Sequence, residues 1–377
     1  MSCKFPAQGA SGDSGTEPFP VLFIGAKCLG PRLQVIGIVD PSIDRVQLVL
    51  SQKHNSKAAS CYSNTKHFLS VQEARDALQL AGQQPRLIFL CSPPHFRGTI
   101  APGRDLETQI ISTFGRKPAI FCEKPVSTAR PHEPLGAAER LQTSGNVVSV
   151  GYMLRYLKAV QKAKHIIQEN NLTVMSIGAR YTCAYEKIRK LDWWDKSKLC
   201  GPIVEQATHF CDLCRYLGGE VDLDTVQAIS LEHDEKAGKL SRQAIDESSI
   251  PEEQRIPRAT TSFWSENRAL GTLTHLIALH GTRYSNEIVI TADGYQLRLV
   301  DLYTNPTLYL RTPTLEQEEV YTYPDDDPFY TELSNLIDVV DGDIDGTVLP
   351  EDKVLSSYSD ACKTYEFTWR IRDESEK

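Results

Sequence analysis

No apolar run of about 18 residues occurs anywhere in the 377-residue chain, so no membrane-spanning helix is expected. Nor is there a surplus of positive charge. Lys and Arg number 41 against 49 Asp and Glu, a net charge of −8, and a mildly acidic surface is a poor match for the phosphates of nucleic acid. The opening residues, Met1 to Glu17, are polar and rich in Gly and Ser. They lack the basic-then-apolar order of a secretory leader and are expected to form a disordered tail. Internal repeats are absent, and so is a second Cys-x-x-Cys to accompany Cys211 and Cys214. That pair falls mid-helix near Cys200 and His209, and a lone mid-helix pair is a weak signal for zinc or redox chemistry; no metal is expected. The ten cysteines are scattered, which without an export signal reads as reduced thiols in a cytoplasmic protein. Cys91 in LIFLC and Cys122 in AIFC sit in apolar runs, where Cys behaves as a small hydrophobe.

What is present is ordinary globular material, 41% hydrophobic and 24% charged, long enough for two or three domains of about 150 residues. Apolar runs at Val21–Ile24, Leu33–Val39, Leu87–Leu90, Ala119–Cys122 and Val147–Val150 read as strands. Between them lie helical stretches at Ser42–Leu50, Ser70–Leu80, Leu106–Phe114 and Leu135–Thr143. Ser70 and Glu73 form a capping box. Alternation of strand and helix implies a doubly wound α/β fold with a parallel, Rossmann-like sheet over residues 19–151. From Tyr152 the texture changes. A helix at Leu157–Asn170 precedes strand-like runs at Val174–Tyr185, Thr225–Leu231, Thr260–Ala269, Gly271–Leu279, Glu287–Ala292 and Leu297–Leu302, with a helix at Val204–Leu217 between them. Turn signals such as Asp293-Gly294 make this an α+β domain, 152–377, with a large, mostly antiparallel sheet. Helices at Tyr330–Val340 and Glu351–Thr368 close it. The charged, aperiodic stretch His233–Arg258 reads as a mobile insertion.

Five motifs could carry chemistry. Phe23-Ile24-Gly25-Ala26 is a strand ending in Gly-Ala, the opening of a dinucleotide site in which small residues let the backbone approach a pyrophosphate. Asp40 ends the second strand, where an acid takes ribose hydroxyls; beside Pro41 it reads equally as a turn acid. Cys91-Ser92-Pro93-Pro94-His95 and Glu123-Lys124-Pro125 each follow a buried strand, and ligands in such folds sit outside the carboxyl ends of strands. The plain alternatives are a Pro-rich turn and a surface ion pair. Gly151-Tyr152-Met153-Leu154-Arg155-Tyr156 offers Arg155 and Tyr152 as a substrate clamp, or else a linker with packed aromatics. In GPIVEQATHFCD, helical spacing puts Glu205, His209 and Asp212 on one face opposite Phe210, Leu213 and Leu217. A carboxylate–imidazole–carboxylate row tunes a His for proton transfer; a solvated polar face is the simpler reading. Trp193 and Trp194 read as domain-interface packing, with substrate stacking by Trp193 second.

Taken in order, these residues resemble the glucose–fructose oxidoreductase, inositol dehydrogenase and MocA family, over about Pro20 to Thr368. The carriers are the Gly-containing strand end, the acid after strand two, Ser-Pro-Pro-x-His, Glu-Lys-Pro, Gly-Tyr-x-x-Arg-Tyr and Gly-Pro-x-x-Glu-x-x-x-His-x-x-Asp. FCEKPVS and VGYMLRY look fungal. The resemblance implies NAD or NADP, a small-molecule substrate (sugar, polyol or cyclic carbonyl) and a homo-oligomer, dimer or tetramer. It implies a cofactor site at Gly25, Ala26, Asp40, Ser92, Pro93, His95, Glu123 and Lys124. Lys124 would lie near the nicotinamide and the reacting oxygen, and Glu123 near its ribose. His209 would act as general base or acid, with Asp212 orienting it. Glu205 stands where the family commonly has Asp. Asp40 favours NAD, although Arg45 could meet a 2′-phosphate.

The phosphate loop departs from the family pattern. Lys27 takes a Gly position, and only eight residues, Gly25 to Arg32, separate the first two strands. A parallel crossover needs at least about ten to twelve residues, so the first Rossmann helix is expected to be missing, and with it the helix N-terminus that binds pyrophosphate. Three readings follow: a truncated form of an active enzyme, a catalytically silent sugar- or partner-binding protein, or cofactor binding through the remaining strand ends. The expected function is nicotinamide-dependent hydride transfer to or from a secondary alcohol or carbonyl. The silent binding protein is the alternative, and redox-neutral lyase or hydrolase chemistry is a third.

Overall fold

In the computed structural model of the chain, residues 19–24, 32–116, 118–266, 269–342 and 353–377 are described, and the chain divides into two compact units between Ile88 and Phe89. In the first, β1 (Phe19–Ile24) pairs parallel with β2 (Leu33–Val39), and β3 (Lys66–Phe68) adds in parallel to β2, giving the order β3-β2-β1. Val21, Leu22 and Phe23 are fully buried, and β2 is buried along nearly its whole length. This is the pattern of strands covered on both faces. Two helices follow the pattern of their caps. α1 (Ile43–His54) is capped by Ser42, and α2 (Val71–Leu80) by Ser70, whose Oγ accepts from Glu73 N at 3.1 Å. Glu73 Oε2 reaches back to Leu69 N at 2.8 Å, one residue earlier than the usual capping box. Gly25, Ala26 and the link in which no helix is expected lie outside the described residues.

The second unit takes up β4 (Leu87–Leu90) and continues through α3 (Leu106–Phe114), β5 (Ala119–Cys122), α4 (His132–Ser144) and β6 (Val148–Val150), in the order β4-β5-β6 with β5 and β6 parallel. The N-terminal parallel sheet thus has Rossmann-like topology. After α5 (Lys158–Glu169) comes an eight-stranded sheet. Its strands are β7 (Val174–Ala184), β8 (Val221–Leu231), β9 (Ala259–Glu266), β10 (Ala269–Leu279), β11 (Ser285–Ala292), β12 (Tyr295–Val300), β13 (Thr307–Thr312) and β14 (Leu315–Thr322). They run in the order β14-β13-β12-β11-β7-β10-β9-β8; β7 and β10 pair parallel, and the other neighbours pair antiparallel. Between β7 and β8 lie α6 (Lys196–Leu199), α7 (Gly201–Glu205) and α8 (Thr208–Gly218); α9 (Pro328–Gly342) and α10 (Tyr358–Ser375) close the chain. One face of the large sheet is covered by α5, α8 and α10. Ile177, Leu273, Ile288 and Leu297 pack there against Phe210 and Phe367.

The C-terminal helix α10 and its approach bind residues on the N-terminal side of position 152, within the second unit. Tyr365 Oη donates to Ala129 O at 2.6 Å, Arg130 meets Asp373 at 2.8 Å, and Val150 N donates to Ser356 O at 2.9 Å. The helix expected over Val204–Leu217 is two helices, α7 and α8, parted at Gln206 and Ala207, whose N–H groups both return to Pro202 O. Glu205 and His209 therefore do not share a continuous helix. The stretch His233–Arg258 is anchored rather than loose. Ile250 and Ile256 are buried with Cys183, Tyr185, Trp193, Trp194 and Ile277, and buried Arg258 meets Glu247 at 2.5 Å. Its anchors are single residues in short turns, so no period betrays them. β13 and β14 are additions. The glutamate-rich β14 is an exposed edge strand without apolar alternation, and charge on an edge protects against unwanted pairing.

Candidate active site

β5 ends in Cys122, and the chain turns through Glu123 and Lys124 into a cis Lys124–Pro125 peptide. Lys124 Nζ donates to the backbone carbonyl of Glu205 at 2.6 Å and lies 3.9 Å from its carboxylate. The other carboxylate oxygen of Glu205 accepts from Trp193 Nε1 at 3.2 Å. Three motifs remote in sequence thus meet at one ion pair. Its members are neither sealed nor free, with side chains 17% and 31% exposed for Lys124 and Glu205. Trp193 is held in turn by the 233–258 stretch: Ile256 N donates to Trp194 O, and the backbones of Asp195 and Arg255 form a bridge.

His209 lies in the first turn of α8, and nearly every residue of that helix is buried. The Tyr152 ring meets the imidazole edge-on at 5.9 Å, and its hydroxyl pairs with Thr208 Oγ1 at 3.0 Å. Tyr152 is 1% exposed, so it packs His209 instead of meeting solvent. One residue on, Phe210 stacks on Tyr181 of β7 at 4.9 Å, which sets α8 on the sheet. Asp212 is placed differently from the expectation that it orients His209. Its carboxylate accepts from Arg155 at 2.8 and 2.6 Å and from Thr364 Oγ1 at 2.9 Å. Arg155 also binds Asp360 at 2.6 Å and the Leu355 carbonyl, and it is 3% exposed. The fork-to-fork pair with Asp212 is a charge-assisted buried strut. Arg155 is committed to it, where a substrate clamp is the sequence expectation.

The loop after β4 carries Ser92, Pro93 and His95. Ser92 Oγ is buried without a hydrogen-bond partner among the described residues, which suits a ligand hydroxyl or phosphate oxygen at a strand's carboxyl end. Pro93 and His95 are exposed. Partial burial, then the positive charges of Lys190 and Arg104, hold the His95 imidazole below its ordinary range. A residue missed in the sequence joins this loop to the next: fully buried Arg97 donates to Ser92 O at 3.1 Å and to Val126 O at 3.0 Å. Gly98 follows at φ +78°, where a Cβ would stand 2.2 Å from Val126 O, so only glycine fits. Glu123 is half-buried, and its backbone N donates to Leu90 O at 3.0 Å. In the first unit, the Asp40 carboxylate accepts from Ser42 N at 2.8 Å and lies 3.4 Å from Arg45.

Also missed is a cluster on the sheet beside Gln206. Tyr181, Tyr284 and Tyr303 lie with ring centroids 5.7, 6.0 and 6.2 Å apart. His275, opposite Tyr181 on β10, bonds Gln206 Oε1 at 2.9 Å, and burial lowers its pKa to about 3. The tyrosines come from β7 and two separate loops, so no local spacing unites them. Burial pushes the Cys122 and Cys183 thiols up to about 12; Cys211 and Cys214 are fully buried in α8.

Residues 21–152 match the profile of an oxidoreductase family with an NAD-binding Rossmann fold (GFO_IDH_MocA), and residues 155–295 that of an oxidoreductase C-terminal domain. Two uncharacterized Schizosaccharomyces pombe proteins are 43% and 40% identical, over 92% and 91% of this chain and 84% and 88% of theirs. Among solved structures, levoglucosan dehydrogenase in complex with NADH and levoglucosan is 14% identical with a TM-score of 0.68, covering 95% of this chain and 97% of that one. UDP-N-acetylglucosamine 3-dehydrogenase from Acidithiobacillus ferrooxidans is 15% identical with a TM-score of 0.67 over the same shares. A super-repressor mutant of Gal80p from Saccharomyces cerevisiae is 12% identical with a TM-score of 0.72, over 96% of each chain.

Proposed function

Because the chain belongs to the glucose–fructose oxidoreductase, inositol dehydrogenase and MocA family of NAD-binding oxidoreductases, we propose that it transfers hydride between a nicotinamide cofactor and a secondary alcohol or carbonyl of a sugar, polyol or cyclic metabolite. The observation that carries this reading is the meeting of Lys124, Glu205 and Trp193 at the carboxyl end of β5. A nicotinamide cofactor fits the donor set there. Ser92 would take a cofactor oxygen on its orphaned Oγ, with Pro93 and His95 along the same loop and Glu123 and Lys124 on the next. The bound cofactor supplies the hydride acceptor or donor. Lys124 holds its proton on Nζ, and its charge stabilises the substrate oxygen as negative charge develops there. His209 takes the substrate hydroxyl proton in oxidation and returns it in reduction. Glu205 holds Lys124 and Trp193 in place, and Asp212 acts through α8. NAD is the preferred form, since the Asp40 carboxylate at the end of β2 already engages Arg45, the group a 2′-phosphate would need.

The protein works in the cytoplasm as a homo-oligomer. The eight described cysteines, none of them in a disulfide among the described residues, support the first point. The second is supported by exposed Met175, Ile229, Phe263 and Leu270 on four adjoining strands. A second reading, a silent binding protein, is favoured by the eight residues that join two parallel neighbouring strands, β1 and β2, and by the appearance of a repressor on this fold. The test is reduction of NAD across a panel of sugars and polyols. Lys124→Met is expected to lower kcat by about 10²- to 10³-fold. Turnover unchanged by Lys124→Met contradicts the assignment.

A further inference from the structure

We propose that Tyr284 and Tyr303, backed by Tyr181 and set by way of His275 beside the Glu205–Gln206 turn, form a recognition wall that takes an uncharged polyhydroxylated substrate and turns away its phosphorylated and carboxylated analogues. The proposal rests on the hydride-transfer reading for the identity of the site.

The wall is built of three phenols where phenylalanines would pack as well. Tyr181 is buried on β7, and Tyr284 and Tyr303 are half-buried in front of it. Stacking of Tyr181 on Phe210 and its edge contact with His275 at 5.4 Å hold it rigidly. The Tyr181 and Tyr303 rings lie tilted together at 6.0 Å. Glu205 is the charge these hydroxyls feel. Burial, first, raises the pKa of Tyr181, Tyr284 and Tyr303, and the Glu205 carboxylate adds to it.

The two cations of the site described above are both paired with carboxylates. Lys124 is turned to Glu205, and Arg155 is buried between Asp212 and Asp360. His275 is kept neutral by burial, and both ends of the Gln206 amide are used, by His275 and by Cys183 Sγ. A second anion brought beside the partly exposed Glu205 carboxylate would lose water and compete with that carboxylate for the single charge of Lys124. A neutral hydroxyl has no such penalty, because a phenol can both donate to it and accept from it, and aromatic ring faces cover the C–H faces of a cyclic ligand.

The test measures binding to the full-length protein by isothermal titration calorimetry, with and without NAD. The probes are matched pairs: myo-inositol against its monophosphate, and D-glucose against D-glucose 6-phosphate and D-glucuronate. In at least one pair the neutral member is expected to bind about tenfold or more tightly than its anion. Tyr284→Phe and Tyr303→Phe, each removing one oxygen, should weaken that binding about three- to tenfold, and Glu205→Gln should narrow the neutral-to-anion ratio. Equal or tighter binding of the anions, a ratio unmoved by Glu205→Gln, or no binding of any neutral probe overturns the proposal. Binding needs no turnover. Neutral probes that bind without reducing NAD leave this wall standing and count against hydride transfer alone.

Discussion

Lys124 and His275 show how burial divides two bases near one carboxylate. Lys124 keeps partial access to solvent and an ion-pair partner, the state a charge-stabilising group needs. His275 is sealed and neutral, fixed to Gln206, and its consequence is acid sensitivity. Its folded pKa, about 3, lies below the ordinary imidazole value of 6.5, so the unfolded chain binds the extra proton first as pH falls. The stabilisation is full above pH 6.5 and is lost progressively from there toward about 3. Urea midpoints measured across that window should fall more steeply for the wild type than for His275→Gln, the gap between the two narrowing as pH drops. Parallel curves would show that the imidazole titrates normally. Lys124, Glu123 and the Ser92 loop are legible in the sequence because each follows an apolar strand end. Tyr284, Tyr303 and His275 are not, since their nearness arises only when β7, β10 and two loops come together.

At the scale of elements, the site depends on how α8 is fastened. His209 and Asp212 ride on it, and the Arg155–Asp212 pair, with Thr364, Asp360 and Arg215, ties it to α10 and to the turn after β6. Removing one member strands a buried charge, so Arg155→Met should cost about 3–5 kcal/mol in urea unfolding. A loss within experimental error would mean that the network is solvated. Local signals place most elements: four-residue apolar strands such as Leu87–Leu90 and Ala119–Cys122, and the Ser70 cap of α2, stand where the sequence puts them. Long-range pairing decides the rest. The break at Gln206 is fixed by His275, 69 residues on, and the 233–258 stretch looks unstructured because its anchors, Ile250, Ile256 and Arg258, follow no period.

For the whole molecule, the large sheet has one face covered by helices, while its other face exposes Met175, Ile229, Phe263 and Leu270. Sedimentation should show a homo-oligomer, and Ile229→Lys with Phe263→Glu should shift it toward monomer; a wild-type monomer at micromolar concentration contradicts the proposal. The central claim concerns a nicotinamide cofactor bound by a chain with only eight residues between its first two strands. The most direct measurement is titration of the purified protein with NADH and NADPH, read by quenching of its four tryptophans. Saturable binding, tighter for NADH than for NADPH, is the predicted result. Absence of saturable binding by either cofactor would contradict hydride transfer and leave a silent binding protein on an oxidoreductase fold.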